Sequence, residues 1–334
     1  RLPMKEIKTI GVLTSGGDAP GMNAAIRAVV RTAHYYGLNV KGILKGYKGL
    51  LEKNAIDMPL RSVSGTLQSG GTILHSARCA EFREDAGVER AKQNCIEMGI
   101  DGLVVIGGDG SFRGARDLSL KGIPCIGIPG TIDNDIPCTD YTIGFDTAVN
   151  TVVEIVDKLR DTSQSHNRCS IVEVMGNACG DIALHAALGC GAEAVMIAEI
   201  PHDLEKDVLV KMDEAMRKGK THFIIIVSEG VTGERAKDRK MDAFQLARYI
   251  EEKTGVETRA TVIGYIQRGG KPSAKDRYVG SMMGNYAVKL LKNGIGNRVV
   301  VMRDNKIMDF DILEALNMTK KPDLELLRTI NEIS

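Results

Sequence analysis

The chain has 334 residues, of which 43% are hydrophobic and 26% are charged, and its net charge at pH 7 is +1. This length allows two domains or one large α/β unit, and the near-neutral charge excludes a field that would recruit nucleic acid or an anionic membrane. No apolar run reaches the length of a membrane span, the N-terminus lacks the apolar region of a signal peptide, and the seven cysteines show no C-x-x-C spacing, so we expect a soluble, cytoplasmic protein.

The first half of the chain alternates between predicted strands and helices. A strand over residues 7–14 leads into a glycine-rich turn at 15–21, and a helix follows from about Met22 to Tyr36. Further strands are predicted at 40–44, 103–106 and 123–128, helices at 86–98 and 111–120, and a polar loop at 62–76. This alternation predicts a parallel sheet with right-handed crossovers.

A second alternating series begins near residue 144, which we interpret as a domain boundary. Its strands are predicted at 169–174, 194–198, 223–228, 261–265 and 299–302. Its helices are predicted at 146–160, 205–218 and 275–293, and a further helix after the first strand ends at about 189. Polar loops or turns are predicted at 161–168, 232–240 and 267–272. We therefore predict an α/β protein in which both halves are built on mostly parallel sheets between helices.

The glycine-rich turn at 15–21 precedes a helix N-terminus, where free N–H groups and the helix dipole favour a phosphate. It matches neither the dinucleotide fingerprint nor the P-loop, so an ordinary tight turn is an equal alternative. On the helix that follows, Arg27 and Arg31 are four residues apart and repel each other unless an anion lies between them. A solvated helix face is the alternative for this pair.

Two predicted strands end in glycines and carboxylates. One runs into the GGDGS sequence at 107–111, and the next runs into PGTIDND at 129–135. Because open parallel sheets bind ligands outside the carboxyl ends of their strands, these ends predict a metal–phosphate site. Asp109 would hold Mg²⁺ and Asp133 would accept a hydroxyl proton, whereas a helix cap or a turn is the alternative for each aspartate.

Glycines and arginines near the predicted strand ends fit the same chemistry. Gly17, Gly108 and Gly110 would let backbone amides approach phosphate oxygens. Four arginines in or beside loops would suit a phosphorylated substrate, although each alone also fits an exposed surface. They are Arg160, Arg168, Arg259 and Arg268.

Together these sequences resemble the bacterial ATP-dependent 6-phosphofructokinases over residues 7–317. The resemblance rests on residues 14–23 (TSGGDAPGMN), 107–111, 129–135, 174–176 (VMG) and 264–270 (GYIQRGG). It implies two three-layer αβα domains with mostly parallel sheets and the active site in the cleft between them. The larger, nucleotide-binding domain would contain residues 1–144 and 267–317, and the smaller, sugar-phosphate-binding domain would contain residues 145–266 and 318–334.

The family transfers the γ-phosphate of ATP, with Mg²⁺, to the 1-hydroxyl of fructose 6-phosphate, the committed step of glycolysis. By resemblance, Asp133 is the general base, Thr131 lies beside the transferring phosphate, and Asp135 supports the metal region around Asp109. The nucleotide site would contain Gly17, Arg78, Cys79, Gly108, Asp109, Gly110 and Ser111. The sugar-phosphate site would contain Thr131, Ile132, Asp133, Met175, Gly176, Asn177, Glu229, Tyr265 and Arg268, with Arg168 and Arg259 from a neighbouring subunit.

The family also has an effector site between subunits, which binds ADP as activator or phosphoenolpyruvate as inhibitor. The matching basic positions here are Arg27, Arg31, Arg61, Arg160, Lys218, Lys220 and His222. Glu193 would contact the Mg²⁺ of the effector nucleotide. The resemblance therefore implies an allosteric homotetramer, in which oligomerisation completes both kinds of site.

Three positions depart from the family's pattern. Asn177 stands where arginine is common, Tyr265 where histidine is common, and Cys79 where an aromatic residue is common. Loss of a cation beside the transferring phosphate would lower the rate, because such groups act mainly in the transition state. These departures concern kinetics more than the class of reaction.

Three alternatives stay open at this point. Pyrophosphate-dependent relatives typically carry Asp at the position of Gly110 and Lys at that of Gly130, so the two glycines favour ATP. An NAD-kinase-like enzyme shares GGDG but does not explain the TIDND sequence. A weakly active paralogue that senses nucleotides or phosphosugars is compatible with Asn177, whereas the intact Asp133 argues against it.

Overall fold

The computed structural model describes residues 6–334, which form two compact units. The first unit contains the described residues up to Ile132, together with Ile136–Thr147 and Arg268–Lys320. The second unit contains Asp133–Asp135, Ala148–Gln267 and Lys321–Ser334. Among residues 6–334, no helix combines the length and the apolar composition that crossing a membrane requires.

A seven-stranded sheet is the centre of the first unit. Its strands are β1 (Thr9–Thr14), β2 (Asn39–Ile43), β3 (Ala55–Asp57), β4 (Gly102–Gly107), β5 (Cys125–Pro129), β10 (Arg298–Arg303) and β11 (Lys306–Asp311), in the order β11-β10-β5-β4-β1-β2-β3. The five inner strands are parallel, and each edge strand pairs antiparallel with its neighbour. Strands β4 and β5 are buried along their whole length, as expected for parallel strands that are covered on both faces.

Helices cover this sheet and pack closely on one another. They are α1 (Met22–Tyr35), α2 (Gly46–Leu51), α3 (Asp85–Glu97), α4 (Asp109–Leu120), α10 (Ala274–Lys292) and α11 (Ile312–Asn317). A Cβ at Gly280 of α10 would lie 2.8 Å from the Gly21 oxygen, and one at Gly284 would lie 2.6 Å from the Ala25 oxygen. The two glycines are four residues apart on one helix face, so they let α10 approach the backbone of α1.

The second unit is built on a four-stranded parallel sheet. Its strands are β6 (Cys169–Val174), β7 (Ala194–Met196), β8 (Phe223–Ser228) and β9 (Thr258–Val262), in the order β7-β8-β6-β9. Its helices are α6 (Asp181–Cys190), α7 (Val210–Arg217), α8 (Glu229–Thr232), α9 (Ala243–Thr254) and α12 (Leu324–Ile333), and α5 (Phe145–His166) begins in the first unit and continues into it. The predicted α/β class with mostly parallel sheets is confirmed.

Two element predictions in the second unit were wrong. The polar segment at 161–168 was expected to be a loop, but α5 continues to His166. Ser163 in this segment is buried and its hydroxyl lies 2.6 Å from that of Ser170, so a tertiary contact overrides the polar composition. The strand expected at 261–265 ends at Val262, and a short 3-10 helix at Gly264–Arg268 follows because Gly264 takes a left-handed backbone with φ +60°.

Asp276 on α10 is a fully buried carboxylate of the first unit. It accepts hydrogen bonds from the backbone N–H groups of Gly144 (2.8 Å) and Thr147 (2.9 Å), and also from the hydroxyls of Thr147 and Tyr141. Burial raises the pKa of Asp276, and these donors oppose that rise. The carboxylate therefore holds the start of α5 against α10.

We expect Asp276→Ala to lower the free energy of unfolding by about 3 kcal/mol, because several buried donors lose their acceptor together. Urea denaturation measures this change. The control is Asp57→Ala, which removes a surface ion pair with Lys41 in which the Asp57 side chain is 82% exposed. This control should cost about 0.5 kcal/mol, and equal losses in the two variants would contradict the central role of Asp276.

Candidate active site

The loops that follow β1, β4 and β5 lie side by side at one edge of the first unit's sheet. Strand β2 lies on one side of β1 and β4 lies on the other, so the winding of the chain reverses between β1 and β4. Ser15 N–H donates to the Ile106 oxygen at 2.9 Å, and Gly130 N–H donates to the Gly107 oxygen at 3.0 Å. Open α/β sheets bind their ligands at such a reversal, outside the carboxyl ends of the strands.

Glycines shape this edge in two different ways. A Cβ at Gly107 would lie 2.5 Å from the Ser15 oxygen, so the close approach of the two loops excludes any larger residue there. Among residues 6–334, no atom beyond their immediate surroundings lies within 4 Å of a Cβ position at Gly108 or Gly110, so both face open space. Their backbone is therefore accessible to a ligand at the start of α4, where no side chain of the described part of the chain forms a cap.

Asp109, the predicted Mg²⁺ ligand, is the first residue of α4. Its carboxylate accepts from Arg113 Nε at 2.9 Å, and both side chains are about half exposed. An exposed pair of this kind contributes little stability, so a metal ion can replace the arginine at small cost. Within residues 6–334, no cluster of three or more His, Cys, Asp or Glu side chains could hold a metal ion. A single carboxylate with phosphate oxygens and water fits the coordination that Mg²⁺ prefers.

The residues predicted for the nucleotide also include Ser111, Arg78 and Cys79. Ser111 is buried on α4, and its carbonyl accepts from the Tyr47 hydroxyl at 2.5 Å. Burial raises the pKa of Tyr47 well above its usual value, so this phenol stays a hydrogen-bond donor. Arg78 is exposed, and Cys79 is partly buried against the core.

Arg268, a predicted sugar-phosphate residue, lies against Gly17, a predicted nucleotide residue. A Cβ at Gly17 would lie 2.9 Å from Arg268 Cζ, so glycine makes room for the guanidinium. Both residues belong to the first unit. The structure therefore brings together two residues that sequence analysis gave to different ligands.

Exposure alternates along the segment at 131–136. The partly exposed set is Thr131, Asp133 and Asp135, and the buried set is Ile132, Asn134 and Ile136. All three residues predicted for catalysis thus share the accessible side. Asn134 takes a left-handed backbone with φ +50°, and its side chain donates to Asp181 at 2.8 Å. Asp181 was not among the residues predicted from the sequence.

In the second unit, two side chains hold the loop that follows β6. Glu229 Oε1 accepts from the N–H groups of Gly176 (3.0 Å) and Asn177 (2.7 Å). Gln267 Oε1 accepts from Met175 N–H at 3.1 Å, and its Nε2 donates to the Gly264 oxygen. Three consecutive backbone donors are therefore fixed.

Gln267 is fully buried, and although it lies in the GYIQRGG motif, no role was predicted for it. Asn177 and Tyr265 project from the same edge of the sheet, and the Tyr265 side chain is 76% exposed. These two side chains are accessible to a ligand. The buried Gln267 and the hydrogen-bonded loop after β6 hold the backbone from which these two side chains project.

Arg168 and Arg259 lie at the opposite, amino edge of the second unit's sheet. Arg168 directly precedes β6 and pairs with Glu257 at 2.9 Å, and its hydrogen bond lowers the pKa of that carboxyl. Arg259 also pairs with Glu257. The six residues of β6 span roughly 20 Å, so one chain does not bring these arginines to the loop at Met175.

The predicted effector residues form one group in each unit. In the first unit, Arg27 and Arg31 lie on α1, and Arg31 contacts Ser64 near Arg61. In the second unit, Arg160 lies in the last turns of α5, and the other residues lie between helices and the strands that follow them. Arg160 donates to the carbonyls of Cys190 and Gly191, and Lys220 pairs with the buried Glu193. Lys218 directly follows α7, and His222 directly precedes β8.

Glu193 already has internal partners. One of its carboxylate oxygens accepts from Lys220, and the other accepts from Ile224 N–H at 2.5 Å. An effector metal would have to displace the lysine before it could bind this carboxylate. Its predicted role as an effector ligand therefore stays a prediction.

Comparison with known proteins gives consistent results. A family model described as phosphofructokinase matches residues 9–291. The ATP-dependent 6-phosphofructokinase of Lysinibacillus sphaericus is 53% identical over 328 residues, which cover 98% of this chain and 100% of that protein.

Solved structures agree with this match. The phosphofructokinase of Pichia pastoris in the T-state has a TM-score of 0.88 and 33% identity over 99% of this chain, which spans 40% of the Pichia chain. The pyrophosphate-dependent phosphofructokinase of Marinobacter aquaeolei has a TM-score of 0.83 and 25% identity, and the match covers 95% of this chain and 86% of that one. Because the family model matches most of the chain and a full-length relative is more than half identical, the chain belongs to the phosphofructokinase family.

Proposed function

We propose that the protein phosphorylates the 1-hydroxyl of fructose 6-phosphate with MgATP, and that Asp133 is the general base. The 53% identity to the Lysinibacillus ATP-dependent 6-phosphofructokinase over 98% of the chain carries the proposal for the reaction. The accessible position of Asp133 in the 131–136 segment supports its role, because a general base has to reach the proton that it accepts.

The remaining roles divide between two ligands. Gly108, Gly110 and the start of α4 would receive the phosphates of the nucleotide, with Gly17, Arg78, Cys79 and Ser111 around them. Met175, Gly176, Asn177, Glu229, Tyr265 and Arg268 would bind the sugar phosphate, with Thr131 and Ile132 beside the reacting groups. Asp109, supported by Asp135, would hold Mg²⁺, which neutralises charge on the phosphates.

ATP is the proposed donor rather than pyrophosphate. Gly110 faces open space, which leaves room for a nucleotide. Gly130 is enclosed, because a Cβ there would lie 3.0 Å from Ile106 and 3.2 Å from Met22, so a lysine would require these side chains to move. The packing around Gly130 therefore disfavours the residue that pyrophosphate-dependent relatives typically carry.

We further propose a cytoplasmic homotetramer that shares its sites between subunits. Arg168 and Arg259 lie at the sheet edge opposite to the loop at Met175, which supports their delivery to the sugar phosphate of a neighbouring subunit. The effector groups on α1 and beside β8 would bind ADP or phosphoenolpyruvate. The free cysteines support a reducing compartment.

Asp133→Asn should lower kcat by about 10³-fold, because the amide cannot accept the hydroxyl proton. A coupled assay with MgATP and fructose 6-phosphate measures kcat, and nucleotide binding should stay at the wild-type level. Activity of the wild type with pyrophosphate alone would contradict the proposed donor. Wild-type kcat in the variant would contradict the proposed base.

Gly110→Asp should lower kcat/KM for ATP by about 100-fold, because the negative charge of the new carboxylate repels the phosphates of ATP. The fold should tolerate it, since the site is open and an acidic residue in the first turn of a helix is favourable. Gly110→Asn has nearly the same size without the charge and serves as the matched control. Equal losses in both variants would assign the effect to bulk and not to charge.

Mixing two inactive variants tests the shared site. Refolded mixtures of Asp133→Asn and Arg168→Ala subunits should recover about a quarter of wild-type activity. A complete site forms where an Arg168→Ala subunit supplies Asp133 and its Asp133→Asn neighbour supplies Arg168. Mixtures of Asp133→Asn with Glu229→Ala should recover none. Each site takes Asp133 and Glu229 from the same subunit, so every site in this mixture keeps one of the two defects. The absence of recovery in the first mixture would contradict sharing between subunits.

A further inference from the structure

Asn134 and Asp181 form a buried polar pair in the second unit. Asn134 is 4% exposed and Asp181 is 6% exposed, and Asn134 Nδ2 donates to Asp181 Oδ2 at 2.8 Å. An amide loses its hydrogen bonds to water on burial, so a protein partner has to replace them. The hydrogen bond therefore fixes the direction in which the Asn134 side chain enters the interior.

The backbone at Asn134 controls its two neighbours. Its φ of +50° lies in the left-handed region, which asparagine tolerates better than most residues. Asp133 and Asp135 flank this residue directly, and both are partly exposed while Asn134 is buried. A movement of the buried amide would consequently rotate the chain on both sides and displace both carboxylates.

Asp181 is a firm anchor for this amide. It is the first residue of α6, and seven of the ten residues of that helix are buried. The Cys179 thiol, just before the helix, contacts the Asn134 carbonyl at 3.7 Å. The start of α6 thus holds Asn134 through both its side chain and its backbone.

We propose that Asp181 is a positioning residue for Asp133 and Asp135, and that it acts through the buried amide of Asn134. This inference rests on the proposed role of Asp133 as the base. Asp181 itself touches neither substrate in the proposal. Its contribution is to set the position of the base relative to the hydroxyl, and displacement of a reacting group by about 1 Å can cost two orders of magnitude in rate.

Two variants separate the hydrogen bond from the backbone conformation. Asp181→Ala removes the acceptor, and Asn134→Gly removes the amide but keeps a residue that adopts positive φ without strain. Each should lower kcat by about 10- to 100-fold and leave KM for ATP unchanged. Because both remove the same hydrogen bond, the double variant should be no slower than the slower single variant.

Two further variants exclude a purely structural effect. Glu199→Ala disturbs the same helix start, since Glu199 Oε1 accepts from Gly180 N–H at 2.7 Å, but it leaves the Asn134 pair intact. When kcat is calculated per molecule that binds nucleotide, this variant should equal the wild type, even if its thermal stability is lower. Asp181→Asn offers an amide oxygen in place of the carboxylate, and it should recover most of the kcat lost in Asp181→Ala.

Wild-type kcat in Asp181→Ala, or a double variant whose loss is the product of the single losses, would overturn the inference. Equal kcat losses in Asp181→Ala and Glu199→Ala would also overturn it, because they would assign the effect to the helix start in general. Failure of the proposed function looks different. In that case the wild type lacks ATP-dependent turnover, or Asp133→Asn retains it.

Discussion

Three parallel strands of the first unit end so close together that the residues directly after β1 and β5 hydrogen-bond to the end of β4. Ser15 N–H bonds to the end of β4, and Gly130 N–H bonds to Gly107 on the same strand. This spacing excludes a side chain at Gly107, where a Cβ would meet the Ser15 oxygen at 2.5 Å. The accessible backbone at Gly108 and the start of α4 follow from it, because the strand ends fix where that helix begins.

The second unit uses side chains for the same purpose. Glu229 and Gln267 accept hydrogen bonds from three consecutive N–H groups, and Asp181 accepts one from the buried side-chain amide of Asn134. Each is a buried or partly buried polar group whose hydrogen bonds are satisfied by the main chain or by another side chain. The exposed residues Asn177 and Tyr265, which we propose face the sugar phosphate, therefore project from backbone that hydrogen bonds already hold in place.

The strand ends could be predicted from sequence, because GGDGS and PGTIDND each follow a short apolar run. The supporting contacts could not. Asn134 and Asp181 are 47 residues apart, and Met175 and Gln267 are 92 apart, so neither pair leaves a local pattern. The polar composition of the end of α5 did not predict a helix there, and the buried contact between Ser163 and Ser170 accounts for it.

Chain order already separated the arginines into two kinds. Arg268 follows its strand, whereas Arg168 precedes one, and ligands bind beyond the carboxyl ends of parallel strands. Under the proposed function, the position of Arg168 before its strand favours its delivery to the site by a second copy of the chain. Composition alone did not reveal this distinction.

The alternation of exposure along 131–136 also limits how this segment can change length. Substitutions at Ile132 or Ile136 can be absorbed by repacking if they stay apolar. Insertion or deletion of one residue between Thr131 and Asp135 would instead exchange the two faces of the segment, as a register slip does in a strand. Carboxylates would then enter the core and an apolar side chain would reach solvent. In this part of the chain, residue spacing is therefore constrained as strictly as residue identity.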